Sequence, residues 1–262
     1  MTERSGAGPT RETRRLGLMD YQKAWDLQSR LVAQRQAGEA PDTLLLLQHP
    51  HTYTFGRRGT PDHLLLDEEQ LTRRGIAVHW VDRGGDITYH GPGQIVGYPI
   101  IDLRAGGLDV HRYLRALEEV LLRVLGGFSI AAGRDPGYTG VWTAGGKIAA
   151  IGVKVSRGVT SHGFALNVNT DLSYFEGIVP CGIPDRPVTS MQALLGRCLE
   201  IEAVEDAIEE RFAEVFGEAA LCAGLLGRED EVGEGARHAD VVPLRVVDSH
   251  VPQQGEGPGV LH

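Results

Sequence analysis

The chain has 262 residues, 42% of them apolar, and a formal net charge of −9. That length suits one large domain or two small ones. The charge is carried by the ends and one helix: residues 1–15 contribute +2, residues 199–218 contribute −7 and residues 224–262 contribute −4, so the remainder is balanced. There is no basic stripe of the kind that binds nucleic acid, no apolar run near the length of a membrane span, and no apolar core in the Arg-rich start that would make it a signal peptide. Three cysteines, Cys181, Cys198 and Cys222, with no CxxC, argue against a disulfide framework or a cysteine-based zinc site. A cytoplasmic protein is expected.

Residues 1–15 read as a disordered arm. From Asp20 to Gln36, Tyr21, Ala24, Trp25, Leu31 and Val32 recur at helical spacing, with Asp20 as N-cap and Gly38 as terminator. TLLLLQH (43–49) is a buried strand, HPHTYTFGRRG an extended stretch, DEEQLTRRG (67–75) a short capped helix and IAVHWVD (76–82) an alternating strand. RGGDITYHGPGQ (83–94) leads into a further strand over 95–102. Residues 109–125 form the clearest amphipathic helix. A meander follows, with strands at FSIAA, YTGVWT, KIAAIGVKV and HGFALNVN separated by glycine turns. A short helix capped by Thr189 or Ser190 and an acidic helix over 202–216 close a domain spanning 16–223. Residues 224–262, rich in Gly, Glu, Asp and Pro without periodicity, read as a mostly disordered acidic tail.

FEGIVPCGIPDRPV (175–188) places Cys181 among Pro180, Pro184 and Pro187, which exclude a helix interior and a central strand. A rigid loop presents a side chain at reproducible geometry, which suits a nucleophile; Cys198 and Cys222 lack such surroundings and read as structural. An ordinary thiol is only ~3% thiolate at neutral pH, so a cysteine nucleophile needs a base or a cation. Histidine is the usual partner, and His49, His51, His90 and His162 keep a Cys–His hydrolase open. Lysine is the alternative. The chain has three lysines, Lys23, Lys147 and Lys154, against twenty-three arginines, and lysine, unlike arginine, can release its proton. Strand parity predicts Lys147 on an apolar face with Ala149, Ile151, Val153 and Val155, and Lys154 on the other. A thiolate about 4 Å from that ammonium would gain roughly 4 kcal/mol at an effective dielectric near 20. The glycines of 83–94 permit close backbone approach to a ligand, and the small Gly163 and Ala165 of HGFALN would wall a groove beside Phe164. No metal constellation is readable.

RGGDITYHGPGQIVGYPI, GGKIAAIGVKV, HGFALNVNTDL and IVPCGI followed by VTSM, with HPHTYTFGRRG ahead of them, resemble the octanoyltransferases of lipoate biosynthesis (the LipB family) over roughly residues 16–218. The resemblance implies an α+β fold of the biotin- and lipoate-ligase catalytic type, a mixed β-sheet with helices packed on it. It implies an acyltransferase that moves octanoate from octanoyl-acyl carrier protein to a lysine of a lipoyl domain, in 2-oxoacid dehydrogenase E2 subunits or the glycine-cleavage H protein. Cys181 matches the acyl-thioester nucleophile and Lys147 the lysine that lowers its pKa. Arg83, Gly84, Gly85, Asp86, Ile87, Thr88, Tyr89 and His90, Ala150, Ile151 and Gly152, and Gly163, Phe164 and Ala165 match its substrate-binding stretches. No cofactor or metal is implied, because the donor is already a thioester; nor is a nucleic acid or membrane partner. Docking of acidic protein partners is expected at Arg57, Arg58, Arg73, Arg74, Arg157 or Arg186. An ATP-dependent ligase, a Cys–His hydrolase and a non-catalytic carrier-binding module share parts of the pattern and differ in their need for nucleotide, histidine and Cys181.

Overall fold

The central strands are unbroken apolar runs, which need cover on both faces of a sheet. A computed structural model, which describes residues 11–179 and 186–217, provides it. Strands β1 (Glu12–Leu18), β2 (Thr43–Gln48), β6 (Gln94–Ile100), β7 (Gly133–Asp135), β8 (Tyr138–Thr143), β9 (Gly146–Ser156) and β10 (Val159–Asn167) form one sheet in the order β1-β2-β6-β10-β9-β8-β7. Only β1 pairs parallel to its neighbour. A smaller sheet has β3 (Thr52–Phe55) between β4 (Ala77–Trp80) and β5 (Ile87–His90).

Alternation along β2 divides the cover. Leu44 and Leu46 enter one core with α3 (Val110–Gly127) and α5 (Ile201–Phe216). Leu45 and Leu47 enter another with Ala24 and Leu31 of α1 (Tyr21–Ala37). Fully burying such side chains contributes roughly 1.5–3 kcal/mol each, and α3 buries Leu117, Val120, Leu121, Val124 and Leu125. The α1 N-terminus is capped by Asp20, whose carboxylate accepts from the Lys23 amide, and the helix ends at Gly38 with φ +77°. Asp67 and Gln70 form a reciprocal capping box on α2 (Glu68–Arg73), and Ser190 caps α4 (Met191–Leu195). The α+β class and mixed sheets are those the sequence predicts. Among the described residues no helix is long and apolar enough to cross a membrane.

Three local expectations change. Residues 12–15 belong to strand β1 rather than to the arm: Glu12 to Arg15 pair with Thr43 to Leu46, and Arg15 is ion-paired to Asp206 and Glu209 of α5. Their charges sit on the sheet's edge strand, so polarity did not prevent pairing. FSIAA (128–132) is not a strand, because α3 runs on to Gly127 and its Leu125 carbonyl takes the amide of Ile130. Cys198 is exposed rather than packed. Cys181, Cys222 and the 224–262 tail lie outside the described residues.

Candidate active site

The 83–90 segment is fastened to β3 before it meets anything else. The amides of Gly56, Arg57 and Arg58 donate to the carbonyls of Asp86, Arg83 and Gly85 at 3.2, 3.0 and 3.0 Å. Arg83 is buried, and its Nη2 donates to the carbonyl and hydroxyl oxygens of Thr54 at 2.6 and 2.9 Å. Asp86 is held by His63 at 2.6 Å and accepts the Ile87 amide. Ile87 and Tyr89 are fully buried, with the Tyr89 hydroxyl 2.8 Å from His51 Nδ1, and half-buried Thr88 stands opposite Thr54. Arg83, Asp86, Ile87 and Tyr89 therefore build this segment, and the surface it offers is largely backbone at Gly84 and Gly85.

That backbone crosses β9 at Gly152 and Val153. The Gly84 amide donates to the Val153 carbonyl at 3.0 Å, and a Cβ placed on Gly152 would lie 2.9 Å from the Gly84 carbonyl oxygen and 3.2 Å from Arg83 Cδ. In the ladder Ala150 faces Ala165, Ile151 faces Phe164 and Gly152 faces Gly163. Ile151 and Phe164 join the α3/α5 core, and the Phe164 ring covers Gly97 from that side. On the opposite face Gly152 lies beneath Gly84, a Cβ on Gly163 would press on the Gly97 carbonyl of β6, and Ala165 packs into the core under α1. Phe164, expected beside the groove, is on the reverse of the sheet because its neighbours alternate.

Lys147 is positioned by a bulge. Trp142 pairs with Lys147 but Val141 pairs with Ala149, so β9 has one residue more than β8 at this point. Ile148 and Ala149 both enter the α3/α5 core, and Lys147 and Ala150 fall on the opposite face. The predicted grouping of Lys147 with Ala149, Ile151, Val153 and Val155 is thus overturned: Lys147 shares the face of Ala150, Gly152 and Lys154. Its side chain is half-buried, with Nζ 4.7 Å from the Trp142 ring centroid.

The chain that leaves residues 180–185 is laced to this strand. The Lys147 amide donates to the Pro187 carbonyl and the Thr189 amide to the Lys147 carbonyl, both at 2.9 Å. Gly146, at φ +119°, is the position that allows it, since a Cβ there would overlap the Pro187 carbonyl oxygen. On the entry side, the Val179 amide donates to the His63 carbonyl at 2.8 Å, and Ile178 bridges to Leu64.

Sequence reading missed a buried polar cluster on the same face. His49 is fully buried between the Met19 carbonyl and the Tyr98 hydroxyl, each 2.8 Å away, and burial lowers its pKa to about 4. His90, stacked on Tyr21 and hydrogen-bonded to Gln94, is driven well below the usual histidine value by burial. Asp82 accepts from His162 Nε2 at 2.8 Å and from Lys154 Nζ at 2.5 Å. Those bonds, His162 first, hold its carboxyl well below the usual range against the cost of burial. His162 itself is pulled down by burial despite Asp82. The rarity of lysine flagged Lys154, but nothing in the sequence joins it to residues 82 and 162. Among the described residues no three His, Cys, Asp or Glu side chains gather as metal ligands.

The lipoyl protein ligase A/B catalytic domain model matches residues 20–213, a span that includes the 83–90 segment, β9 and β10. An octanoyltransferase of Rubrobacter xylanophilus is 55% identical over 210 residues, covering 79% of this chain and 94% of that protein. The chain belongs to the octanoyltransferases of the lipoyl protein ligase A/B family. It is an acyltransferase of lipoate biosynthesis. An octanoyltransferase of Solibacter usitatus is 54% identical over 203 residues, 78% of this chain and 91% of that protein. The fold recurs in the bipartite lipoate protein ligase of Thermoplasma acidophilum, with a TM-score of 0.60, 16% identity, and coverage of 89% of this chain and 99% of that one.

Proposed function

We propose that the enzyme transfers octanoate from the thioester of octanoyl-acyl carrier protein to a lysine of a lipoyl domain, through an acyl thioester on Cys181. The observation that carries this reading is the lacing of the 186–190 segment to both backbone faces of Lys147. The chain is bonded to the strand that bears the lysine at Pro187, six residues after the cysteine. The small residues Ala150 and Gly152 of β9, with Gly152 beneath Gly84, suit an alkyl chain, and they lie on the same side of the sheet as Lys147. Substrate contact through the 83–90 segment is then mainly with its backbone, while Arg83, Asp86 and Tyr89 support it from behind.

In the first step the Cys181 sulfur attacks the donor carbonyl carbon. The C–S bond to the carrier breaks, and the departing thiolate takes a proton from the Lys147 ammonium. In the second, the acceptor amine attacks the acyl-cysteine carbon, its surplus proton passes to Lys147, and the Cys181 thiolate leaves. Each atom and proton is accounted for without nucleotide, because the activated bond enters with the donor. Both steps develop an oxyanion that backbone amides are suited to stabilise. Arg57 and Arg58, exposed beside the 83–85 backbone, are suited to acidic carrier and lipoyl surfaces. Arg186 and Arg73 are already paired, with Asp135 and Glu69.

Intact-mass spectrometry after mixing with octanoyl-carrier protein, without ATP, tests this reading. The expected result is one octanoyl adduct that maps to Cys181, is discharged by a lipoyl domain faster than by water, and is absent from Cys181→Ala. Transfer that proceeds in Cys181→Ala, or that requires nucleotide, overturns it.

A further inference from the structure

The indole of Trp142 makes contacts that a strand residue does not need for pairing. It stands across the ladder from Lys147, whose Nζ lies 4.7 Å from its ring centroid. The Arg186 guanidinium lies 5.1 Å from the same ring and 5.2 Å from the ring of Tyr138. Arg186 Nη1 is in turn ion-paired to Asp135 Oδ2 at 2.5 Å. The indole Nε1–H donates to the Tyr138 carbonyl at 3.3 Å, which fixes the ring's edge. Two cations on one ring repel each other, while the π face attracts both and Asp135 offsets the charge of Arg186. The ammonium is acted on by Trp142 of β8 and by the charge of Asp135 of β7, while Tyr138 of β8 and Arg186 gather at the Trp142 ring.

We propose, on the reading that Lys147 is the partner of the Cys181 thiol, that Trp142 is a positioning residue whose indole face holds the Lys147 ammonium in place, braced from Arg186 and Asp135. A lysine at the start of a strand has a long, freely rotating stem. The bulge at Ile148 sets the direction of Lys147 but not the position of its nitrogen. An aromatic face contributes to that position by attraction to the charged form. Arg186 ties the same ring to the strand-exit segment, so the lysine and the chain leaving Cys181 share one anchor.

The test compares Trp142→Leu and Trp142→Phe with Lys147→Ala, in a Cys198→Ser, Cys222→Ser background so that alkylation reads Cys181 alone. Steady-state transfer gives kcat and KM, and the pH dependence of iodoacetamide alkylation gives the state of the thiol without any substrate. Trp142→Leu is expected to lower kcat about tenfold with little change in KM for the carrier. It is also expected to move the alkylation profile upward by about half a pH unit, and Trp142→Phe to recover most of both. Trp142→Thr, a small strand-forming residue, replaces the leucine variant if circular dichroism shows that variant unfolded. An unchanged kcat and alkylation profile in Trp142→Leu, while Lys147→Ala alters both, overturns the role of Trp142 alone. A phenylalanine variant as impaired as the leucine one also overturns it. An unchanged profile and rate in Lys147→Ala overturns the underlying reading of the lysine.

Discussion

The two faces of the main sheet are built for different purposes. Under α3 and α5 the sheet is lined by Leu44, Leu46, Ile95, Ile148, Phe164 and Leu166, all apolar and buried. The other face packs Leu45, Leu47, Val96, Ile100 and Ala165 under α1, carries Ala150, Gly152 and Gly163 farther along β9 and β10, and adjoins His49, His90, His162, Tyr98 and Asp82, most of whose hydrogen bonds join residues far apart in sequence. The first face stores stability in side-chain volume. The second has a core of its own under α1, has its smallest side chains along β9 and β10, and adjoins histidines held neutral by burial. Adjacent residues of one strand serve the two ends: Ile151 fills the helix-side core, and Gly152 lies under the ligand segment.

Substitutions on each face should separate stability from transfer. On the active face, Lys147→Arg keeps the charge but cannot pass a proton, and transfer should fall about 10²-fold or more with an unchanged melting temperature. Full activity in that variant would reduce Lys147 to a fixed charge. On the helix face, Leu121→Ala removes a fully buried side chain and should cost about 2–5 kcal/mol in denaturant unfolding. The folded fraction should retain its turnover per molecule; a turnover loss as large as that for Lys147→Arg would break the contrast. Gly152→Val, which presses on the Gly84 carbonyl, should cost about 1–3 kcal/mol and raise KM for the acyl donor, because the displaced backbone belongs to the proposed substrate segment. Unaltered KM would place the acyl chain elsewhere.

Acidification should act on the histidine face. His49 titrates at about 4 in the folded chain and near 6.5 when unfolded, so the unfolded state binds the extra proton. The stability from burying it neutral is complete above about pH 6.5 and is lost as the pH falls toward 4, at up to about 1.4 kcal/mol per pH unit for each such histidine. His90 and His162 are shifted in the same direction by burial and should steepen the loss. Urea unfolding at pH 7, 6, 5 and 4 reads this directly, and His49→Gln should flatten the curve. A pH-independent midpoint would show that these rings are not neutral and buried in solution.

Local signals were enough for much of this molecule. Asp20 and Gly38 bounded α1, Asp67 capped α2, the apolar run of 43–48 marked a doubly covered strand, and the ordered motifs from 83 to 191 identified the family. These rest on a residue's own conformational preferences or on neighbours within a turn, so a linear reading reaches them. The end of α3 was lost because the Leu125 carbonyl reached past the helix to Ile130 and took an amide that the FSIAA strand would have needed. The face of Lys147 was decided only in the folded sheet. One extra residue opposite Trp142 reverses the parity counted along β9, and register is a property of two strands rather than one. The same holds for Trp142 beside Lys147, Asp82 between Lys154 and His162, and the 186–190 segment on β9, where the partners are brought together by strand pairing across sequence separations that no local pattern records.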